Sequence, residues 1–182
     1  ICLSPAEFIH FGTTAELMRL VTHDVDDYEF LDWKKQVVTT APEGADYAAH
    51  NSYVGKRAKI GSGAYLENSF VLDESCVGSG SLISCVKLKN VTVPAGVVLH
   101  GLRLLDGRYV ARIYGVGDNP KGTLEMPGGA GFLGSTLDAF FSRNGILPSQ
   151  VWEEGQEHSL WNARLYPAAA DMETAVGFAL LI

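Results

Sequence analysis

The sequence predicts a mainly β protein. From about Ala49 to Leu102 it is a short single-stranded parallel β-helix, a hexapeptide-like solenoid, with a flanking hairpin and a few α-helices. Three observations carry this reading. The stretch Ala49–Ala64 aligns with Leu66–Ser81, and a third copy begins at Ile83 and reaches Val93-Pro94-Ala95-Gly96-Val97 one residue early. Three aliphatic rows recur in those copies: Val54/Val71/Leu88, Ile60/Val77/Val93 and Leu66/Ile83/Leu99, at offsets of 17 or 16. A Gly-x-Gly pair also repeats, at Gly61/Gly63 and Gly78/Gly80. Three short strands per coil, each sending one aliphatic side chain inward, give such a pattern, and Gly, Asn, Asp and Ser serve the corners. No coil can bury its own faces, so coils must stack, roughly three of them here. Ordinary hairpins would not repeat the Gly-x-Gly.

The flanks follow in order. Phe8–Phe11 reads as a short strand broken by Gly12. Thr13-x-x-Glu16 has the form of a capping box, and Leu17, Leu20 and Val21 follow at helical spacing. His23–Asp27 reads as an acidic loop, and Pro42–Gly44 as a turn before the repeats. After the solenoid, Leu102–Tyr114 is a hairpin with its tight turn at Asp106-Gly107. A long Gly/Pro loop runs over 115–134. A helix is expected from Ser135, capped by Ser135-x-x-Asp138, to Asn144, with Gly145 stopping it. Leu160–Tyr166 is read as extended, and Asp171 as the cap of the last helix. This divides the chain into a mixed lead-in (1–48), the β-helix (49–102) and a hairpin, loop and helical cap (103–182). The hairpin (102–114) and residues 30–48 are each placed to cover an end coil, whose strand edges would otherwise lie open.

Composition narrows the function classes. The 182 residues are 47% hydrophobic and 19% charged, enough apolar material for a real core. Net charge is −7, from 14 basic and 21 acidic residues, with no Lys/Arg cluster. That balance argues against nucleic acid and against an anionic membrane surface. Three cysteines (Cys2, Cys76, Cys85), an odd number with no CxxC, point to a reducing compartment, hence the cytoplasm. The chain opens on Ile1 without a signal peptide and closes on the apolar run Val176–Ile182, so it is expected to be an internal fragment of a larger protein.

Candidate chemistry is sparse. Gly129-x-Gly131-x-x-Gly134 matches a dinucleotide fingerprint, but a turn at Pro127-Gly128 stands where a parallel strand is needed, so it reads as a loop. His50 and His100 share an outward corner, with Glu67 and Ser84 on the coils between, which predicts a solvated polar ladder rather than a metal site. Cys76 and Cys85 read as small hydrophobes. Asp118, Asn119 and Lys121 suit a sugar hydroxyl or a phosphate, and equally a plain Asp-Asn-Pro turn. Trp161 beside Arg164 suits ring stacking, and equally a core position. These five are the candidate substrate-binding residues. No catalytic residue and no metal ligand is assigned.

Three stretches add a resemblance: Phe8-Ile-His-Phe-Gly-Thr-Thr-x-Glu-Leu17, Tyr114-Gly-Val-Gly-Asp-Asn-Pro-Lys121 and Leu160-Trp-Asn-Ala-Arg-Leu-Tyr-Pro167. In that order, with solenoid coils between the first two, they resemble the fucose-1-phosphate guanylyltransferase (GDP-fucose pyrophosphorylase) family, which includes bifunctional proteins with an L-fucokinase half. The resemblance covers nearly the whole chain. It implies a transferase of fucose salvage that joins fucose 1-phosphate to GTP, and a kinase half that phosphorylates L-fucose with ATP, each using Mg²⁺. It also implies a left-handed solenoid, although the general crossover rule points to the other hand. The phosphate loops of both activities are absent from this sequence. The chain therefore reads as a non-catalytic scaffold or sugar-phosphate-contacting region, holding no cofactor itself, joined to nucleotide-binding and kinase domains, with homo-oligomers open to it. A hexapeptide-type acyltransferase, with His100 the only tempting base, is one alternative. A carbohydrate-binding or assembly module is the other.

Overall fold

A computed structural model describes residues 12–182 (for Glu29 and Phe30, the backbone alone). Cys2 and the strand expected at Phe8–Phe11 lie outside them. The centre is a parallel β-solenoid of about four turns. Strand β1 (Gln36–Thr39) lies parallel on β2 (Ala48–Val54). β3 (Lys59–Ile60) and β4 (Tyr65–Glu67) complete the first coil, and β5 (Phe70–Val71), β6 (Cys76–Val77) and β7 (Leu82–Ser84) form the second. β8 (Lys87–Leu88), β9 (Thr92–Val93) and β10 (Val97–Arg103) form the third. β2 turns a corner: Ala48–His50 pair with β4, whereas Tyr53–Val54 pair with β5. The stack exceeds the three coils read from the repeats because β1, which carries no repeat signature, pairs below them.

Each coil is hydrogen-bonded to the next in register. Gly55 N–H donates to Val71 O at 2.8 Å, Gly61 to Val77 O at 2.8 Å and Gly78 to Val93 O at 2.9 Å. The nine row residues enclose the core. Leu66, Val71, Ile83, Leu88 and Leu99 are fully buried; Val54, Val77 and Val93 are nearly so, and Ile60 is half-buried. Burying each such aliphatic side chain contributes about 1.5–3 kcal/mol.

The Gly-x-Gly has a double cause. A Cβ on Gly61 would run into the backbone of Ser79, and one on Gly78 into Pro94 and Ala95, because adjacent coils touch there. Gly63 and Gly80 hold φ of +65° and +63°, which side-chain-bearing residues adopt at a cost. The corner inside β2 uses Asn instead. Asn51 and Asn68 sit at φ +46° and +47°, and Asn51 Nδ2 donates to Asn68 Oδ1 at 2.7 Å.

Both ends of the stack are covered. β11 (Tyr109–Gly115) pairs antiparallel with β10. Helix α4 (Met172–Ala179), capped by Asp171, sets Ala175, Val176 and Ala179 into the solenoid core cluster. At the other end β1 covers the edge of β2. Helix α1 (Thr14–Thr22) starts with the expected capping box, Glu16 N–H donating to Thr13 Oγ1 at 3.2 Å. It lays Met18 on the outward residues Ala48, Tyr65, Leu82 and Val98 of the first wall.

Four local expectations change. Asp24–Leu31, read in part as an acidic loop, is a 3-10 helix. The hairpin turn is not two residues long: Gly107 N–H donates to Leu104 O and Leu104 N–H to Arg108 O, which leaves three residues in the loop. Ser135-Thr136 is strand β13, paired with β12 (Gly131–Phe132), so the cap of α2 (Leu137–Asn144) is Thr136, whose Oγ1 accepts from Ala139 N–H. Residues 160–166 form a turn and irregular chain rather than a strand. A one-turn helix α3 (Pro148–Val151) and Trp152 close a second small core with Phe132 and Phe141.

Ile83→Ala opens a cavity among fully buried neighbours and is expected to cost about 2–5 kcal/mol in urea unfolding. Gly78→Ala places a methyl against backbone that cannot swing away, and a loss of about 1–3 kcal/mol is expected. Gly78→Ala equal to wild type would contradict the close stacking.

Candidate functional site

Strand pairing sets a row of polar residues on the outer face of the first wall. His50 pairs with Glu67, Glu67 with Ser84, Ser84 with His100, and His100 with Arg112 on β11. Hydrogen bonds connect them. Ser84 Oγ donates to Glu67 Oε1 at 2.7 Å, and the Tyr65 hydroxyl donates to Glu67 Oε2 at 3.1 Å. His100 Nδ1 lies 3.0 Å from Ser84 Oγ, and His50 Nδ1 lies 3.2 Å from the Tyr65 oxygen. The ladder read from the sequence thus forms as a connected chain. Burial holds the His100 pKa below the usual histidine value; Glu67 opposes that and Arg112 adds to it. Burial, with the Glu67 charge behind it, pushes the Tyr65 phenol up.

Arg112 at the end of this row gathers three segments. Its Nη2 donates to Leu160 O at 2.7 Å, and its guanidinium lies 5.7 Å from the ring centroids of both Trp161 and Tyr166. Trp161 N–H donates to Pro120 O at 2.7 Å, which ties the 160–162 turn to the 115–122 loop. Lys121 Nζ then lies 5.5 Å from the Trp161 ring centroid. Trp161 is 60% exposed, not a core residue. Cation–π contacts of this kind are worth about 0.5–1 kcal/mol when exposed. The Tyr166 hydroxyl donates to Ile113 O, and burial pushes its pKa up.

The five candidate residues therefore separate. Lys121 and Trp161 meet. Asp118 is a loop clamp: its Oδ2 accepts from Gly115 N–H at 2.6 Å and from Leu133 N–H at 2.9 Å. Asn119 Oδ1 accepts from Lys121 N–H, an Asx turn that fixes the lysine backbone. Arg164 stands apart, ion-paired to Glu153 in a cleft lined by Val151, Trp152 and His158. Arg112 and Tyr166 were not among the candidates. Only the hairpin register puts Arg112 on the outer face. A two-residue turn would have set Arg112 opposite Gly101, pointing inward.

The described residues contain no group of three His, Cys, Asp or Glu that could hold a metal ion. Cys76 is half-buried and Cys85 exposed, both free thiols. No described helix is long and apolar enough to cross a membrane.

The fold defines a capped β-solenoid region, with Arg112, Lys121 and the exposed Trp161 gathered at its hairpin end. Comparison with protein families supplies the particular one: the fucose pyrophosphorylase domain matches residues 1–171. This chain belongs to that family, a pyrophosphorylase (transferase) family of GDP-fucose salvage. No curated protein and no solved structure matches it.

Two outcomes are expected. The half-buried His100, held in its neutral form, contributes stability that is complete above pH 6.5 and is lost as pH falls through its lowered folded-state pKa. Melting temperature should therefore drop as pH falls below the ordinary histidine range, and His100→Asn should flatten that limb. Asp118→Ala leaves two backbone N–H groups without an acceptor. A loss of about 1–3 kcal/mol is expected, with faster amide exchange at Gly115 and Leu133.

Proposed function

We propose that this chain is the solenoid region of a fucose-1-phosphate guanylyltransferase, serving that enzyme as a rigid, non-catalytic scaffold. The carrying observation is that the family match spans 1–171 and that its described residues include a stack paired with β1 at one end and β11 at the other. Such a stack holds attached elements at fixed spacing, because every coil is locked to the next by backbone hydrogen bonds. On this reading the parent enzyme works in the cytoplasm on GTP and fucose 1-phosphate with Mg²⁺. Its nucleotide-binding domain, and in bifunctional members an ATP-using L-fucokinase domain, are covalent partners of this region. Homo-oligomers are compatible with it.

The acyltransferase alternative needs a histidine open to substrate. His100 does not suit that role: it is half-buried, bonded through Nδ1 to Ser84 and flanked by Arg112. Incubation of the 182-residue chain with GTP, Mg²⁺ and fucose 1-phosphate is expected to yield no GDP-fucose by chromatography. Sustained synthesis by this chain alone would overturn the scaffold reading.

A further inference from the structure

The three walls of the solenoid differ on the outside. The first has α1 over its apolar row and the polar ladder beside it. The third presents Lys59, Cys76 and Thr92, which need no cover. The second wall, formed by the end of β2 with β5 and β8, presents aromatic rings. Tyr53 and Phe70 are paired on adjacent coils, 43% and 55% exposed, with ring centroids 6.3 Å apart. Neither joins a core cluster. Stacked exposed rings of this kind mark an interaction surface. Charges on the same face balance between coils. Lys56 stands one repeat of 17 residues before Asp73, and Arg57 the same distance before Glu74. Arg57 bridges Asp73 and Glu74 within the chain, and both acids stay partly exposed. These four charges sum to zero in a chain of net charge −7, so here alike molecules meet without net repulsion.

We propose that the second wall is the contact face of a homodimer, in which two copies of this chain pack antiparallel through Tyr53 and Phe70. A two-fold axis along the strands, passing between the two rings, exchanges their coils. Tyr53 of each copy then meets Phe70 of the other, and Lys56 meets Asp73. At the corner, Asn51 meets Asn68, two amides that already bond one another within the chain. Val38 has a place in the same arrangement. It is 78% exposed at φ +46°, a conformation that strains a β-branched residue. It stands at the foot of the corner column that runs through Asn51 and Asn68 to the exposed Cys85, at φ +56°. The axis sets Val38 against Cys85 of the second copy, apolar against apolar. About four coils at roughly 4.8 Å, by about six residues at roughly 3.3 Å, make a face about 20 Å square. That lies at the small end of protein interfaces, so a reversible, micromolar dimer is expected.

Sedimentation equilibrium of the 182-residue chain, from about 5 to about 500 μM, tests this. The mass is expected to rise with concentration from 19.6 kDa towards twice that value. Phe70→Asp buries a charge at the centre of the contact and should weaken association by at least about tenfold. Its side chain is exposed, so circular dichroism should show an unchanged fold. Lys56→Glu, in an exposed turn, is the second variant and should weaken association by about threefold. The geometry has its own readout. Facing sheets lie about 10 Å apart, which puts thiols at positions 38 and 85 of opposite copies within reach of a short bismaleimide. In Val38→Cys that reagent should give a product of twice the mass on a denaturing gel, with positions 38 and 85 linked in its mass spectrum. A mass of 19.6 kDa at every concentration would overturn the dimer. Association unchanged in both folded variants, or cross-links from position 38 that avoid Cys85, would overturn this face. All three results leave the scaffold reading intact, and GDP-fucose synthesis by the chain alone would overturn that reading without touching the dimer.

Discussion

The structure depends on one constraint: every coil must present its backbone donors and acceptors in register with the coil beneath it. The strands here are two or three residues long over most of the stack, too short to be stable as isolated pairs. Parallel pairing across the stack, with aliphatic rows beneath it, makes them cooperative. The same constraint explains the glycines. Coils that approach closely enough to hydrogen-bond at Gly61 and Gly78 leave no room for a Cβ. It also explains why a 16-residue repeat can follow a 17-residue one. The missing residue falls in the segment between Leu88 and Val93, outside the paired positions, so the rows remain aligned.

A stack built this way creates its own difficulty, because its last strand exposes a free edge. The hairpin and α4 answer it at one end and β1 at the other. At the hairpin end the answer also builds the candidate site. Pairing of β11 on β10 sets Arg112 opposite His100. Arg112 then fixes the Leu160 turn, and that turn is tied to the loop that Asp118 clamps. Two segments 40 residues apart, around Lys121 and Trp161, meet because the stack needed a cover.

What was readable from sequence follows the same division. The rows, the Gly-x-Gly and the caps at Thr13, Gly145 and Asp171 are local or strictly periodic, so their physics lies within a few residues of itself. The 3-10 helix at 24–31 and the cap at Thr136 were missed because neighbouring residues offer equivalent signals. Thr136 follows Ser135, and β12–β13 pairing decides between them. The roles of Asp118, Arg112 and Arg164 were not legible either. Asp118 was grouped with Asn119 and Lys121 for a sugar hydroxyl or a phosphate, with a plain Asp-Asn-Pro turn left open, but one of the two amides it holds comes from Leu133, 15 residues on. Arg164 neighbours Trp161 in sequence, yet the chain turns between them and Glu153 claims the guanidinium.

The outer face of the first wall shows why so small a region leaves this surface available. Its apolar row, Ala48, Tyr65, Leu82 and Val98, needs a cover, and α1 supplies one. The neighbouring row is polar and satisfies itself along the stack, from His50 through Tyr65, Glu67 and Ser84 to His100. Had that row been aliphatic, a second helix would have been required over it, in the space beside β11. Because Glu67 is bonded from both sides within the wall, no helix is needed. The 160–162 turn then rests at the end of the row instead, with Trp161 facing out. The polar ladder takes one residue from every coil along a single face, and Arg112 joins its end to the turn that carries the exposed indole.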